Sequence, residues 1–261
     1  MSHIDRLRDR LDVIELLNLA KQYLTYKELS RILSTEQTVL ARYIKGHVLP
    51  SPERSDQLRA VLMDVLKASS DISNRLGEAG AGAVLQANRN PFLLSFIARD
   101  TIHVNAGKSV TKVLTLLGTA VPLATLVSQR LYVPLAIADT SKFMTSESYI
   151  ESVIPSANLH VETLYFPKRE LKKTDNVLII TDILSDGATQ IALEGIVRKA
   201  NAVTTALYAI IALGDQWKTA FEEGKIVCPV KSFTQGTVLT NQTLQPKQVL
   251  SELTPESVLS R

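Results

Sequence analysis

The stretch Val177–Thr189, with the sequence VLIITDILSDGAT, constrains the fold of this chain more than any other. Its first four residues are apolar and follow a polar segment, which is typical of a strand buried on both faces in a parallel sheet. Asp182 and a small-polar loop, Ser185–Thr189, come next, and an apolar run with helical spacing follows from Ile191 to Val197. The sequence therefore predicts a strand, a tight loop and a helix N-terminus, which together make an anion site.

The residue types of this stretch suit a ribose phosphate. Asp182, at the end of the strand, can accept hydrogen bonds from sugar hydroxyls. The backbone amides of the loop can surround a phosphate, and the predicted loop residues are Ser185, Asp186, Gly187, Ala188 and Thr189. The alternative is an ordinary strand-to-helix turn of an α/β domain, with no ligand.

The same stretch resembles the phosphoribosyl pyrophosphate (PRPP) motif of the type I phosphoribosyltransferases. In that family an apolar strand runs into two acidic residues and then into a small-residue loop that ends in Thr. Here Asp182 stands at the second acidic position, and Thr181 departs from the motif at the first. The resemblance implies an α/β fold with a parallel sheet, and PRPP as the ligand, with Mg²⁺ as a possible companion.

A second loop lies earlier in the chain, between two predicted strands. An apolar run, Val113–Leu117, leads into Gly118 and Thr119, a helix start follows, and Leu135–Ala138 is a further buried strand. This order is a βαβ unit. In the family, Leu117, Gly118 and Thr119 occupy the place of the pyrophosphate-binding loop, where small residues let amides approach a diphosphate.

The family resemblance also implies roles for the residues after this unit. Lys142 is the candidate for a cation facing the pyrophosphate, with a solvated loop lysine as the alternative. The polar segment 143–158 is predicted to be a lid, and Leu159–Phe166 alternates like a ribbon strand. Further elements are predicted at Ala202–Leu213 (strand), Gln216–Glu223 (helix) and Ile226–Phe233 (strand).

The first seventy residues have helical periodicity throughout. Thr25 and Glu28 predict a capping box for a short helix, Tyr26–Leu33, and a second short helix is predicted from about Glu36 to Lys45. Two short helices joined by a three- to four-residue turn make a helix-turn-helix, and the segment resembles the lambda-repressor-like class. The residues predicted to meet DNA are Gln37, Thr38, Arg42 and Lys45. A small helical bundle with a solvated polar face is the alternative.

Two domains follow from these patterns. Residues 1–70 are predicted to form an all-α DNA-binding domain, and residues 71–261 a phosphoribosyltransferase-like, ligand-binding domain. Acidic residues balance the basic ones around the second short helix, so one copy should bind double-stranded DNA weakly. A homodimer is therefore predicted.

Composition excludes several classes of protein. Of the 261 residues, 45% are hydrophobic and 21% charged, and the formal net charge is +3, as in a globular protein with no demand for an anionic partner. A lone cysteine, no apolar signal segment and no bilayer-length run predict a cytoplasmic protein with no membrane contact. Four scattered histidines predict no metal site.

The fused arrangement resembles the purine-repressor type of regulator and the archaeal phosphoribosyltransferase-like regulators. Thr181 and Ser185 stand where enzymes of the family carry carboxylates, and Asp186 places a charge inside the phosphate loop. The sequence therefore predicts a transcription regulator that senses PRPP or a nucleotide through a catalytically degenerate domain, not an enzyme. Two alternatives stay open: an active phosphoribosyltransferase of the purine or orotate type, and a domain kept for protein contacts.

Overall fold

A computed structural model describes residues 3–68, 78–142, 148–154, 162–224 and 226–236. The helices are α1 (His3–Lys21), α2 (Tyr26–Leu33), α3 (Gln37–Ile44), α4 (Pro52–Ala68), α5 (Gly82–Arg89), α6 (Pro91–Val104), α7 (Val121–Leu131), α8 (Ala188–Lys199) and α9 (Gln216–Glu223). The strands are β1 (Lys112–Leu116), β2 (Leu135–Ala138), β3 (Tyr149–Ile154), β4 (Glu162–Pro167), β5 (Asn176–Leu184), β6 (Val203–Leu213) and β7 (Val230–Gly236).

Within these residues, five strands form a parallel sheet in the order β2-β1-β5-β6-β7. The central strands β5 and β6 are buried along most of their length, as their continuous apolar runs predict. The predicted α/β fold with a parallel sheet is thus confirmed. Strand β5 continues to Leu184, past the four apolar residues that the sequence marks, because Thr181 is also buried and pairs with Ala209 of β6.

Helices cover both faces of this sheet. Leu178 and Ile180 of β5 pack into a core that extends to α1, α6 and α7. Val177 and Ile179 point to the other face and pack against α8. Alternate residues of one strand therefore serve two cores, and the loops at the carboxyl ends of the strands lie between these two helical layers.

The predicted lid is partly a strand. Residues Tyr149–Ile154 form β3, which pairs antiparallel with β4, so the expectation of an irregular segment over 143–158 is wrong for these residues. Its polar composition is explained by alternation: Ile150 and Ser152 are buried, whereas Glu151 and Val153 are exposed. The predicted lid residues 143–147 and 155–158 lie outside the described ranges.

The N-terminal helices match the sequence closely. Thr25 caps α2, its side chain accepts from the Glu28 amide, and the Glu28 side chain accepts from the Thr25 amide, which is the predicted capping box. These hydrogen bonds to Thr25 lower the pKa of Glu28. No helix in the described part of the chain combines the length and the apolar character needed to cross a membrane.

A cluster of charges joins α1 to the helices of the sheet domain. Arg99 of α6 lies 2.5 Å from Asp12 of α1, and Arg130 of α7 lies 3.1 Å from both Asp12 and Glu15. Ser95 of α6 donates to Glu15 and receives a hydrogen bond from Arg130. The predicted boundary at residue 70 stays a prediction, but α1 has an extensive polar contact with the unit that follows.

Candidate functional site

The loops after β1 and β5 meet at a change in the direction of chain winding. From β1 the chain moves outward to β2, and it later returns to β5 on the other side of β1. In open α/β sheets, ligands bind at the carboxyl ends of the strands where the strand order reverses in this way. The ladder between β1 and β5 ends at Leu114 and Ile179, and the Thr115 hydroxyl then donates to the Ile180 carbonyl at 2.8 Å.

A direct contact joins the first predicted loop to the carboxyl end of β5 at this point. The Thr119 hydroxyl donates a hydrogen bond to the Asp182 carboxylate. The other oxygen of Asp182 accepts from the Ile183 amide at 2.7 Å. From below, the side chain of Asn88 in α5 donates to the Thr119 carbonyl at 2.9 Å. The sequence predicts Thr119 and Asp182 in separate stretches, and the structure brings these two residues together; their binding of a ligand stays a prediction.

The loop predicted to bind a phosphate, Ser185–Thr189, is shorter than predicted. Helix α8 begins at Ala188, so Ser185, Asp186 and Gly187 form the loop, while Ala188 and Thr189 belong to the first helical turn. The free amides at this helix N-terminus and the positive end of its dipole favour a bound anion. The last two of the five predicted loop residues are thus helical, and phosphate binding by this loop stays a prediction.

Gly187 has two reasons to be glycine. Its φ of +82° lies in the left-handed region, which residues with a Cβ adopt at a cost. A Cβ at this position would lie 2.7 Å from Cε1 of Phe221 and 3.4 Å from Cβ of Trp217 in α9. The Trp217 amide also donates to the Ser185 carbonyl at 3.1 Å. Helix α9, predicted only as a helix, therefore supports the phosphate loop from behind.

Asp186 is exposed, and its carboxylate accepts from the Ala188 amide at 3.0 Å. This hydrogen bond uses one of the amides at the start of α8, and the Asp186 carboxylate places a negative charge beside the other amides. The charge inside the phosphate loop that the sequence indicates is therefore present. It disfavours a phosphate without excluding one, because the remaining amides keep their direction.

The other predicted loop is exposed. Leu117 and Gly118 both lie on the surface, and the Leu117 amide donates to the Ala138 carbonyl of β2 at 2.8 Å. A Cβ on Gly118 would meet no atom within 4 Å. The space above this loop is therefore open to a ligand, as a pyrophosphate loop requires.

Lys142 lies against the β3–β4 ribbon. Its ammonium group is 2.6 Å from Glu151 and 4.7 Å from the centre of the Tyr165 ring. The hydrogen bond to Glu151 raises the pKa of Lys142. Lys142, the predicted cation facing the pyrophosphate, is thus paired with Glu151 of β3. The sequence does not predict a strand at Glu151.

Thr181 and Gln190 form a buried hydrogen-bonded pair next to Asp182, which the sequence does not predict. Thr181, at the position of the missing acidic residue, is only 2% exposed, and its hydroxyl accepts from the Gln190 side chain at 3.0 Å. A polar residue in the first turn of the predicted helix is the signal that could have pointed to Gln190. Within the described ranges, no group of three or more His, Cys, Asp or Glu side chains could hold a metal ion.

The predicted DNA-contact residues share an exposed surface. Gln37, Thr38, Arg42 and Lys45 are all exposed, whereas Leu40 on the opposite side of α3 is buried. Three residues, 34–36, separate α2 from α3. These helices are confirmed, and their contact with DNA stays a prediction.

Comparison with known proteins decides the family. The profile described as "Phosphoribosyl transferase domain" matches residues 84–236, more than half of the chain. The chain belongs to this family. Xanthine phosphoribosyltransferase of Geobacillus thermodenitrificans is 28% identical over 156 residues, which are 57% of this chain and 77% of the relative. The corresponding protein of Brevibacillus brevis is 29% identical over 145 residues, 55% of this chain and 71% of the relative.

The fold of solved structures agrees. Adenine phosphoribosyltransferase of Thermoanaerobacter pseudethanolicus matches with a TM-score of 0.51 and 12% identity, covering 59% of this chain and 84% of that one. This likeness concerns the fold. The matched residues 84–236 fall where the sequence places the family resemblance, between about residues 80 and 235.

The prediction of a non-enzymatic, PRPP-sensing transcription regulator is wrong, because the relatives that match this chain are named as enzymes. The prediction rested on the helix-turn-helix pattern fused to the family domain, on the absence of carboxylates at positions 181 and 185, and on the charge of Asp186. Thr181 is buried, and its hydroxyl is held by Gln190 in the first turn of α8.

Proposed function

We propose that this chain is an active phosphoribosyltransferase that transfers ribose 5-phosphate from PRPP to a purine base, with xanthine as the first base to test. The contact between Thr119 and Asp182 carries the proposal, because it places a sugar-binding carboxylate between two loops that suit phosphates. The names of the relatives support the choice of xanthine.

In the proposed reaction, a nitrogen of the base forms a bond to C1 of the ribose as the bond from C1 to the pyrophosphate oxygen breaks. Pyrophosphate leaves with the electron pair of that bond, and the proton of the base nitrogen passes to water. The amides at the start of α8 hold the 5′-phosphate, Asp182 accepts from the ribose hydroxyls, and Leu117–Thr119 holds the leaving pyrophosphate. Fixing both ends of PRPP orients C1 toward the base.

Ser185 bears on which base is used. A serine at this place does not act as a general base at neutral pH. Xanthine has a more acidic N–H than adenine, so it loses its proton to water more readily. The residues of this loop therefore favour xanthine over adenine.

Mg²⁺ fits this site as a companion of the diphosphate. Mg²⁺ is commonly bound by one or two carboxylates together with substrate phosphates. Asp182 is the carboxylate beside both loops and would contribute the protein's oxygen. When bound, the ion neutralises charge on the departing pyrophosphate.

The test is a product assay with the purified full chain, PRPP and Mg²⁺, and xanthine, guanine, hypoxanthine, adenine or orotate in separate reactions. The nucleotide and the pyrophosphate are measured in the same reaction. The Asp182→Asn variant, which lacks the carboxylate charge at the site, is assayed in parallel. We expect nucleotide formation with xanthine, reduced at least tenfold in the variant. No nucleotide with any of the five bases would refute the proposal.

We also propose that α3 binds double-stranded DNA, with two copies of the chain engaged together. The exposed row Gln37, Thr38, Arg42 and Lys45 supports this proposal, since such side chains contact phosphates and base edges. Fluorescence anisotropy with labelled duplexes at several salt concentrations tests it. Binding that weakens with salt and is lost in Arg42→Ala is expected, and equal binding by this variant would contradict it. Analytical ultracentrifugation with and without duplex tests the homodimer.

A further inference from the structure

Gln190 is a buried carboxamide in the first turn of α8. It is only 2% exposed, and a buried polar group of this kind is costly unless it is hydrogen-bonded. Its Nε2 carries two hydrogens and donates both: one to the Thr181 hydroxyl at 3.0 Å and one to the Ile183 carbonyl at 2.8 Å. One side chain of the helix thus holds two points of strand β5.

The two acceptors are the neighbours of Asp182 on either side. Asp182 also receives hydrogen bonds from the Ile183 amide and the Thr119 hydroxyl. The backbone that carries Asp182 is therefore fixed to the same helix whose first amides form the phosphate loop. Small displacements between a sugar-binding carboxylate and a phosphate cradle are expected to weaken binding of a ligand that spans both.

We propose that Gln190, together with Thr181, is a positioning residue that fixes Asp182 relative to the N-terminus of α8 for PRPP binding. This inference rests on the proposed function, because it assigns a role to the same site. Thr181 contributes a neutral hydroxyl where the family motif has an acidic residue, so the pair holds the strand without adding negative charge beside the phosphates. Gln190 itself lies in the core and acts through Asp182.

A purely structural role makes a different prediction from a positioning role. If Gln190 only stabilises the fold, its removal affects PRPP binding equally whether or not Asp182 is functional. If it acts through Asp182, removal has little further effect once Asp182 has lost its charge. A double-mutant cycle measures this coupling.

The experiment compares the full-length wild type with Gln190→Met, Asp182→Asn and the double variant, by isothermal titration with PRPP and Mg²⁺. Methionine matches glutamine in length and lacks both donors. Thr181→Val is the milder second variant should Gln190→Met fold poorly, because it keeps the hydrogen bond from Gln190 to the Ile183 carbonyl. Ser128→Ala is the matched control: it removes a buried hydroxyl that donates to the Val133 carbonyl at 2.5 Å, beyond the other end of α7.

We expect Gln190→Met to weaken PRPP binding about tenfold relative to the wild type. In the Asp182→Asn background, the same substitution should weaken PRPP binding less than about twofold. Thr181→Val should give about threefold, and Ser128→Ala no change. In turnover, Gln190→Met should raise the KM for PRPP and leave kcat within about threefold. Equal losses in both backgrounds would overturn the positioning role.

The binding measurement separates this inference from the proposed function, because it needs no acceptor base. A wild type that binds PRPP and forms no nucleotide would refute the proposed function, and the cycle would still decide the role of Gln190. A wild type that forms nucleotide with no coupling in the cycle would refute the positioning role alone. A wild type that does not bind PRPP would refute both.

Discussion

The hydroxyl of Thr119, in the loop that follows β1, donates a hydrogen bond to the carboxylate of Asp182 near the carboxyl end of β5. The two residues are far apart in sequence and come from the strands on either side of the point where the strand order reverses. The bond fixes the orientation of the carboxylate, whose other oxygen accepts from Ile183. A ligand with phosphates at both ends would therefore meet Asp182 in a defined position.

Thr119→Val should raise the KM for PRPP about five- to tenfold with kcat within about twofold, because valine keeps the shape and removes the donor to a charged acceptor. Steady-state kinetics with varied PRPP measures this. Thr119→Ser keeps the hydroxyl and is expected to stay close to the wild type. Since Thr119 is exposed, the melting temperature should change little. An unchanged KM in Thr119→Val would show that this bond does not position Asp182.

Asp186→Asn should tighten PRPP binding about three- to tenfold at low ionic strength, because the charge beside the phosphate cradle is removed. The asparagine oxygen can still accept from the Ala188 amide, so the turn is kept. Titrations at low and high salt check the cause, since screening should shrink the difference. Asp64→Asn, an exposed site on α4, makes the same change in net charge and is expected to have no effect. Weaker binding by Asp186→Asn would mean that the carboxylate assists the ligand.

Gly187→Ala should be more destabilising than Gly107→Ala, although both glycines have a φ of +82°. Each substitution carries the same backbone cost of about 1–2 kcal/mol. At Gly107 a Cβ meets no atom within 4 Å, whereas at Gly187 it would lie 2.7 Å from Phe221. This clash adds about 1–3 kcal/mol. Urea unfolding of both variants measures the difference, and equal losses would show that α9 yields at no cost.

The elements around the site could be predicted where one local pattern decides them. The helix Gln216–Glu223 and the strand Leu135–Ala138 have the predicted bounds. The capping box of Thr25 and Glu28 is also present. In each case the signal lies within a few neighbouring residues, and the burial of the element agrees with its propensity.

The site residues that could not be predicted depend on contacts between distant elements. Lys142 pairs with Glu151, which can be known only once β3 is recognised. In the sequence, Thr181 stands where the family motif has an acidic residue. Its burial and its hydrogen bond with Gln190 arise from the packing of α8 on β5, which the sequence pattern does not specify. The contacts of Arg99 and Arg130 with Asp12 of α1 likewise join residues that are far apart in the sequence.

Tyr208 provides a test of the core in alkaline solution. Its side chain is fully buried in β6, and its hydroxyl donates to Asp100 of α6 at 2.7 Å. Burial, and then the charge of Asp100, raise the pKa of Tyr208 well above its ordinary value. In the unfolded chain the phenol ionises near pH 10, so above that pH the folded state retains a proton that the unfolded state has lost. The free energy of unfolding should therefore fall as the pH rises above about 10.

Tyr208→Phe should lose about 1.5–3 kcal/mol of stability at pH 7, because it removes a hydrogen bond to a buried charged group. This deficit is expected to shrink between about pH 10 and 11, where the phenol stabilises the wild type progressively less. Urea unfolding of both proteins from pH 7 to 11 measures the change. Tyr132→Phe, at a tyrosine that is 66% exposed, is the control and should show a constant difference. If the deficit of Tyr208→Phe were the same at pH 8 and pH 11, Tyr208 would ionise as readily in the folded protein as in the unfolded chain.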